Sequence, residues 1–135
     1  MKKEIIEDIL TEIENTTDFK KTYKNIVPIW TDVKQFPACA VMYESEEKAR
    51  DNLTNSKSYY IGKIGIFIYN KQSKTSFEDN LSDLIEEVYS IIEGIRWLKY
   101  KVIDATVSQM KRDGGIIHPY SMANIIVEIK YIKNI

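Results

Sequence analysis

The stretch LSDLIEEVYSIIEGI, residues 81–95, carries the clearest periodic signal in the chain. In this stretch the apolar residues follow one another at steps of one or three positions. This spacing gathers their side chains on one side of an α-helix, the side that packs on a core. Thr75 and Glu78 form a capping-box pattern just before this stretch. The sequence therefore predicts a helix over residues 75–98 that lays one apolar stripe on a sheet. The stripe consists of Leu81, Leu84, Ile85, Val88, Ile91, Ile92 and Ile95.

Strand patterns lie on both sides of this helix. Ile64, Ile66 and Ile68 occupy every second position, which is the two-residue period of a strand. Pro28 makes the first predicted strand an edge strand or a bent one, because proline has no N–H to donate to a central ladder. The predicted elements are a helix at 3–15, strands at 23–30, 36–44 and 58–69, the helix at 75–98, and strands at 102–109 and 122–132.

The order of these elements predicts an α+β fold. We expect a single domain, residues 1–135, with an antiparallel or mixed sheet of four to five strands and both amphipathic helices packed on one face. A chain of 135 residues can bury a core of its own. Two polar stretches, residues 44–57 and 110–118, are expected to be long loops, which is where binding residues are commonly found.

Composition excludes several classes of function. Nineteen basic and 20 acidic residues leave a net charge of −1, so no strong field attracts nucleic acid or an acidic membrane. Charged or polar residues interrupt every apolar stretch, so no membrane span is expected. The N-terminus lacks the apolar centre of a signal peptide.

Residues that could carry catalysis are few. His118 is the single histidine and Cys39 the single cysteine, so the sequence offers no metal-ligand cluster and no intramolecular disulfide. Cys39 lies in an apolar strand pattern and is expected to be a core residue. Gly62 and Gly65 lack the context of a phosphate loop and are expected to allow a bulge or a close approach of backbone. No catalytic residue, cofactor or metal is predicted.

Aromatic residues on the predicted central strand suggest a contact surface. Phe67 and Tyr69 lie on the side of the strand opposite the three isoleucines. If the helices cover the isoleucine side, the aromatic side needs another cover, and a neighbouring subunit would provide it. Phe67, Tyr69 and Tyr59 are therefore the candidate residues of a subunit interface.

Several segments along the chain together form a pattern that resembles a known family. The resemblance rests on the apolar run FPACAVMYESEE at 36–47, the strand IGIFIY at 64–69, the helix at 80–98, Ala105-Thr106, the segment KRDGG at 111–115 and the strand VEIKY at 127–131. The chain is similar in these patterns to the tail terminator proteins, also called tail completion or tail-to-head joining proteins, of long-tailed bacteriophages and phage-tail-like particles.

This resemblance implies a structural virion protein without enzymatic activity. Family members form a ring, usually hexameric, that caps the head-proximal end of the tail tube, stops its polymerisation and contacts the head-tail connector. The expected partners are other copies of the chain, the tail tube protein, neck proteins and the sheath of a contractile tail, with DNA passing through the lumen without specific binding. The expected location is the virion tail, with assembly in the host cytoplasm.

The predicted loops supply the candidate docking residues, which are Glu44, Glu46 and Glu47 in one and Lys111, Arg112 and Asp113 in the other.

Two alternative functions stay open. One is another phage neck, head-completion or minor tail protein. The other is a small enzyme or ligand-binding domain that uses His118 with Asp113 or Tyr120 in a pocket.

Overall fold

The computed structural model describes residues 2–16, 19–25, 28, 30–54, 57–71, 80–94, 102–112 and 120–134. Its elements are α1 (Lys2–Thr16), β1 (Lys21–Lys24), a 3-10 turn (Trp30–Asp32), β2 (Ala38–Thr54), β3 (Lys57–Lys71), α2 (Asn80–Gly94), β4 (Val102–Arg112) and β5 (Tyr120–Asn134). The five strands form one sheet in the order β1-β2-β3-β5-β4. β1 is parallel to β2 and every other pair is antiparallel, so the predicted α+β fold with a mixed sheet is confirmed.

The main core lies between the helices and one face of the sheet. Ile64, Ile66 and Ile68 of β3 are fully buried there, as the alternating pattern predicts. The matching positions of β5 are buried beside them, and the apolar stripes of both helices cover this face. Each buried isoleucine contributes about 1.5–3 kcal/mol relative to an exposed one. The buried helix residues are Ile5, Ile6, Ile9, Leu10 and Ile13 of α1 and Leu81, Leu84, Ile85, Val88 and Ile92 of α2.

Polar contacts fasten α1 to the edge strand β1. Lys24 Nζ lies 2.6 Å from Glu7 Oε1, and the Thr22 hydroxyl donates to Glu14 Oε1 at 2.6 Å. Both pairs are exposed, so each adds only about 0–1 kcal/mol. They orient β1 so that its other side chains, Lys21 and Tyr23, lie on the opposite face of the sheet.

A second, smaller core covers part of that opposite face. Tyr69, Val33, Ala38 and Ala40 are buried in it, and the Tyr69 hydroxyl donates to the Pro28 carbonyl at 2.8 Å. The segment between β1 and β2 therefore covers Tyr69 within the chain. The expectation that the aromatic face has no cover of its own is wrong at this end of the sheet, because the sequence pattern gave no sign that this segment folds back.

The described parts of two predicted loops are strands instead. β2 continues through residues 44–54 and pairs with the first half of β3, so the loop expected at 44–57 is wrong over residues 44–54. Residues 110–112 likewise belong to β4 and pair with β5. Pairing with an adjacent strand supplies the hydrogen bonds of these polar residues, which overrides their weak strand propensity.

The remaining predicted boundaries differ by smaller amounts. β1 covers residues 21–24 instead of 23–30, and Trp30 begins the 3-10 turn. β1 is an edge strand, as Pro28 suggested, although Pro28 itself lies after the strand. The capping box at Thr75 and Glu78 and the end of the predicted helix at 95–98 lie outside the described residues.

Candidate assembly surfaces

The sheet face turned away from the helices, here called the open face, is only partly covered. Beside the second core it carries a band of half-buried side chains: Met42, Ile61, Lys63, Phe67, Ile126 and Glu128. Lys63 Nζ and Glu128 Oε1 lie 3.9 Å apart across two strands, with about two-fifths of each side chain exposed. The band thus combines partly exposed apolar side chains with one ion pair.

The structure separates the three candidate interface residues. Phe67 is half-buried and packs beside the second core. Tyr69 is only 1% exposed, so its side chain is no longer available as a contact for a neighbouring subunit. Tyr59 lies on β3 at the register position of Ile132, and its side chain lies outside the described part of the chain.

The paired segments 44–54 of β2 and 57–63 of β3, here called the arm, extend one end of the sheet. Glu44, Glu47 and Lys48 are exposed, whereas Glu46 is half-buried. The register shifts by one residue between Tyr43 and Ser45, which marks a β-bulge at Glu44. Without this bulge, residues 43 and 46 would point to opposite faces of the sheet.

The bulge brings Glu46 into a cluster with two tyrosines on the helix side. The Tyr131 hydroxyl donates to Glu46, and the Tyr43 hydroxyl donates to Glu46 Oε2 at 3.3 Å. The two hydroxyl oxygens lie 3.1 Å apart, and Tyr60 stacks on Tyr131 with a centroid distance of 6.1 Å. Burial and the neighbouring carboxylate raise the pKa of Tyr43. The cluster links the β2 strand of the arm to β5, in addition to the backbone pairing of β3 with β5.

Gly62 and Gly65 leave room for side chains of this region, whereas the sequence predicted a bulge or a close approach of backbone at these positions. A Cβ atom at Gly62 would collide with the Tyr43 hydroxyl. A Cβ atom at Gly65 would lie 2.7 Å from Glu44 Oε1 and 3.0 Å from Phe67 Cε2. The carboxylate of Glu44 therefore lies over Gly65 on the open face.

The second group of candidate docking residues lies at the opposite edge of the sheet. Lys111 and Arg112 end β4 and are exposed, and Arg112 Nη1 donates to Ser82 Oγ of α2 at 3.0 Å. Asp113 lies outside the described residues. All the described docking candidates are thus strand residues, and the acidic and basic groups occupy the two edges of one sheet.

The residues considered for catalysis do not form a site in the described part of the chain. Cys39 is fully buried, and burial raises the pKa of its thiol, as expected of a core residue. His118 lies outside the described residues. Among those described, no three His, Cys, Asp or Glu side chains are grouped to hold a metal ion. Neither described helix is long and apolar enough to cross a membrane.

Sequence reasoning missed the hydrogen-bonded cluster at the base of the arm. Its hydroxyl and carboxylate partners are 85 residues apart in the chain, so no local motif could reveal them. The bulge that aligns them also breaks the two-residue alternation on which strand faces are predicted. The pair of glycines on β3 was the one local signal of close contacts at this place.

Comparison with known proteins identifies the family. The sequence model described as "Bacteriophage Tail Tube Terminator Protein" matches residues 1–135. Among curated proteins, the chain is similar to the tail tube terminator protein p142 of Escherichia phage T5, with 23% identity over 124 residues that cover 83% of this chain and 72% of the relative. The family model thus spans both helices, all five strands and the arm. The chain therefore belongs to the bacteriophage tail tube terminator family.

Proposed function

We propose that this chain forms a ring that caps the head-proximal end of a phage tail tube and stops the tube from polymerising further. The observation that carries the proposal is the family match, which extends over residues 1–135 and concerns proteins described as tube terminators. The similar protein of phage T5 is also named as a tail tube terminator. Termination requires a protein that binds the last ring of the tube and offers no site for the next.

The proposed ring is hexameric and its contacts are heterologous. In such a ring one surface of each copy meets a different surface of the next, and rotation closes the series. The open face supports this arrangement because its half-buried band includes Phe67 and remains partly exposed in the single chain. Phe67 and Tyr59 therefore stay candidate contact residues between copies.

The ring has two further surfaces, above and below, for its other partners. We assign one to the tail tube protein and the other to the head-tail connector, with the sheath as a further neighbour in a contractile tail. The charged residues of the arm and of the end of β4 are the candidates for contacts between proteins. A net charge of −1 suits a channel through which DNA passes without specific binding.

The proposed role is structural, in the virion tail, after assembly in the host cytoplasm. Membership in a tail protein family supports a role without catalysis. The competing enzymatic hypothesis depends on His118. It would require His118→Ala to abolish an activity while folding and assembly remain intact.

The test is the length distribution of tails, measured by electron microscopy in particles assembled with the gene disrupted. We expect over-long tails that are not attached to heads, because nothing would stop the tube. Resupplying the intact gene should restore the normal length, which serves as the control. Tails of normal length that fail to join heads would instead assign the protein to another layer of the neck.

A further inference from the structure

Both long edges of the sheet lack a strand partner in the described chain. β4 is the last strand at one edge. At the other edge, β1 pairs with β2 only at Ala38–Val41, and the last backbone bond on this side runs from Asn25 N–H to the Val41 carbonyl. From Met42 to Thr54, β2 has a described partner on one side only. Such edges offer rows of unpaired N–H and C=O groups to another strand.

The strand directions allow these two edges to meet in a ring. β2, β3, β5 and β4 are antiparallel in succession, so β4 runs opposite to β2. Rotation about an axis along the strands keeps each direction unchanged from one copy to the next. β4 of one copy therefore meets β2 of its neighbour as an antiparallel partner.

The exposed charges at the two edges are complementary. Glu44 and Glu47 lie at the edge of the arm, and Lys111 lies at the edge of β4. The register places Glu47 opposite Ile61 and Lys111 opposite Asn124, which puts both on the open face, where Glu44 also lies. None of the three forms an ion pair with another described residue. At these positions, two arm edges or two β4 edges repel each other, whereas an arm edge and a β4 edge attract each other.

We propose that β4 of one copy adds to the arm edge of β2 in the next copy, with Lys111 beside Glu44 and Glu47. The inference rests on the proposed ring and names the contact that closes it. β1 blocks residues 38–41, so the incoming strand has to shift toward the tip of the arm. A shift of about four residues, roughly 13 Å, places Lys111 beside Glu44. Closing a sheet of tilted strands requires a stagger of this kind.

Cross-linking tests the contact directly. We expect the full chain with Glu47→Cys and Lys111→Cys together to give a ladder of covalent oligomers with a short bismaleimide reagent. Each single variant should give no ladder, and a mixture of the two should stop at dimers, because each copy then has one reactive edge. Cys39 is fully buried, so the wild-type chain serves as the unreactive control. Glu86→Cys with Lys111→Cys controls for random collision, since Glu86 is exposed on α2.

Charge reversal tests the same contact without a reagent. Glu44→Lys with Glu47→Lys should weaken assembly about tenfold, as should Lys111→Glu, and combining all three should restore it. Mass measured by light scattering reports the oligomer, and Glu86→Lys is the matched control. A wild-type chain that stays monomeric, or oligomers with neither ladder nor rescue, overturns the inference. Tail termination has its own test, the length distribution of tails, so the proposed function can stand when this contact fails.

Discussion

Tyr131 of β5 links to the β2 strand of the arm through its hydroxyl group. The ring is almost fully buried, and the hydroxyl donates to the half-buried carboxylate of Glu46. A hydrogen bond to a charged group contributes more than a neutral one, and its loss leaves the carboxylate short of a donor. The hydroxyl group of Tyr131 is therefore expected to contribute measurably to the stability of the fold.

Tyr131→Phe should lower the free energy of unfolding by about 1–2 kcal/mol, because it removes this hydrogen bond and keeps the ring. Urea unfolding followed by circular dichroism measures the change. Tyr23→Phe is the matched control, since the Tyr23 hydroxyl forms no hydrogen bond with a described residue. Equal losses in the two variants would contradict the role given to Tyr131.

The raised pKa of Tyr69 predicts how the stability of the fold changes at alkaline pH. Burial above all, with the nearby Cys39 and Tyr23 groups, raises the pKa of Tyr69 to about 12. The ordinary tyrosine pKa is about 10. Between these values the unfolded chain loses the proton while the folded chain keeps it. The contribution of Tyr69 to the free energy of unfolding is therefore complete below a pH of about 10 and is lost as the pH rises toward 12.

Tyr69→Phe should make this alkaline decline shallower, because phenylalanine has no proton to lose. Unfolding free energies measured from about pH 9 to about pH 11.5 test the slope. The variant should also be less stable at neutral pH, since it lacks the bond to the Pro28 carbonyl. Parallel curves for wild type and variant would show that Tyr69 does not titrate in this window.

At the scale of elements, α2 is the helix that closes the main core. Ile85 is 4% exposed in the middle of its apolar stripe, whereas Ser90 lies on the exposed side. Ile85→Asp should abolish cooperative folding near room temperature, because an unpaired buried charge costs more than about 4 kcal/mol. Thermal melting by circular dichroism gives the comparison with Ser90→Asp, which adds the same charge at the surface. A melting temperature equal to that of the wild type would refute the core assignment.

The elements predictable from sequence are those buried on one side. The stripe of α2 and the alternation in β3 and β5 reflect burial, which leaves a period in the sequence. Residues 44–48 of β2 show no such period because most of them are exposed, so their strand character comes from pairing with β3. The Tyr43, Glu46 and Tyr131 cluster depends on a bulge and on a distant strand. Neither leaves a local signal.

At the scale of the whole molecule, the near-neutral charge conceals an uneven distribution. α2 carries four acidic residues and no lysine or arginine, and α1 is also acidic in excess. The rest of the chain, β1, β3 and the end of β4 included, accordingly holds more lysine and arginine residues than acidic ones. Such a distribution favours contacts between unlike surfaces of two copies, which the proposed heterologous ring requires.

Phe67→Asp should weaken ring assembly more than it lowers monomer stability, because the ring of Phe67 is half-buried on the open face. Light scattering measures assembly and thermal melting measures stability. Tyr89→Asp is the control, since Tyr89 is a half-buried aromatic residue on α2, away from the open face. If Phe67→Asp assembles like the wild type, Phe67 is not part of the contact between copies.

The response of the proposed ring to salt distinguishes an apolar contact from a contact between charged strand edges. An apolar contact through Phe67 keeps or gains strength as salt rises, whereas charge pairs at exposed edges are screened over a Debye length of about 10 Å at 0.1 M. We expect assembly to weaken with rising sodium chloride, because Lys111, Glu44 and Glu47 are exposed. Glu44→Gln with Glu47→Gln should flatten this dependence, while Glu86→Gln should leave it unchanged. Assembly that strengthens with salt would shift the main contact from the strand edges to the open face.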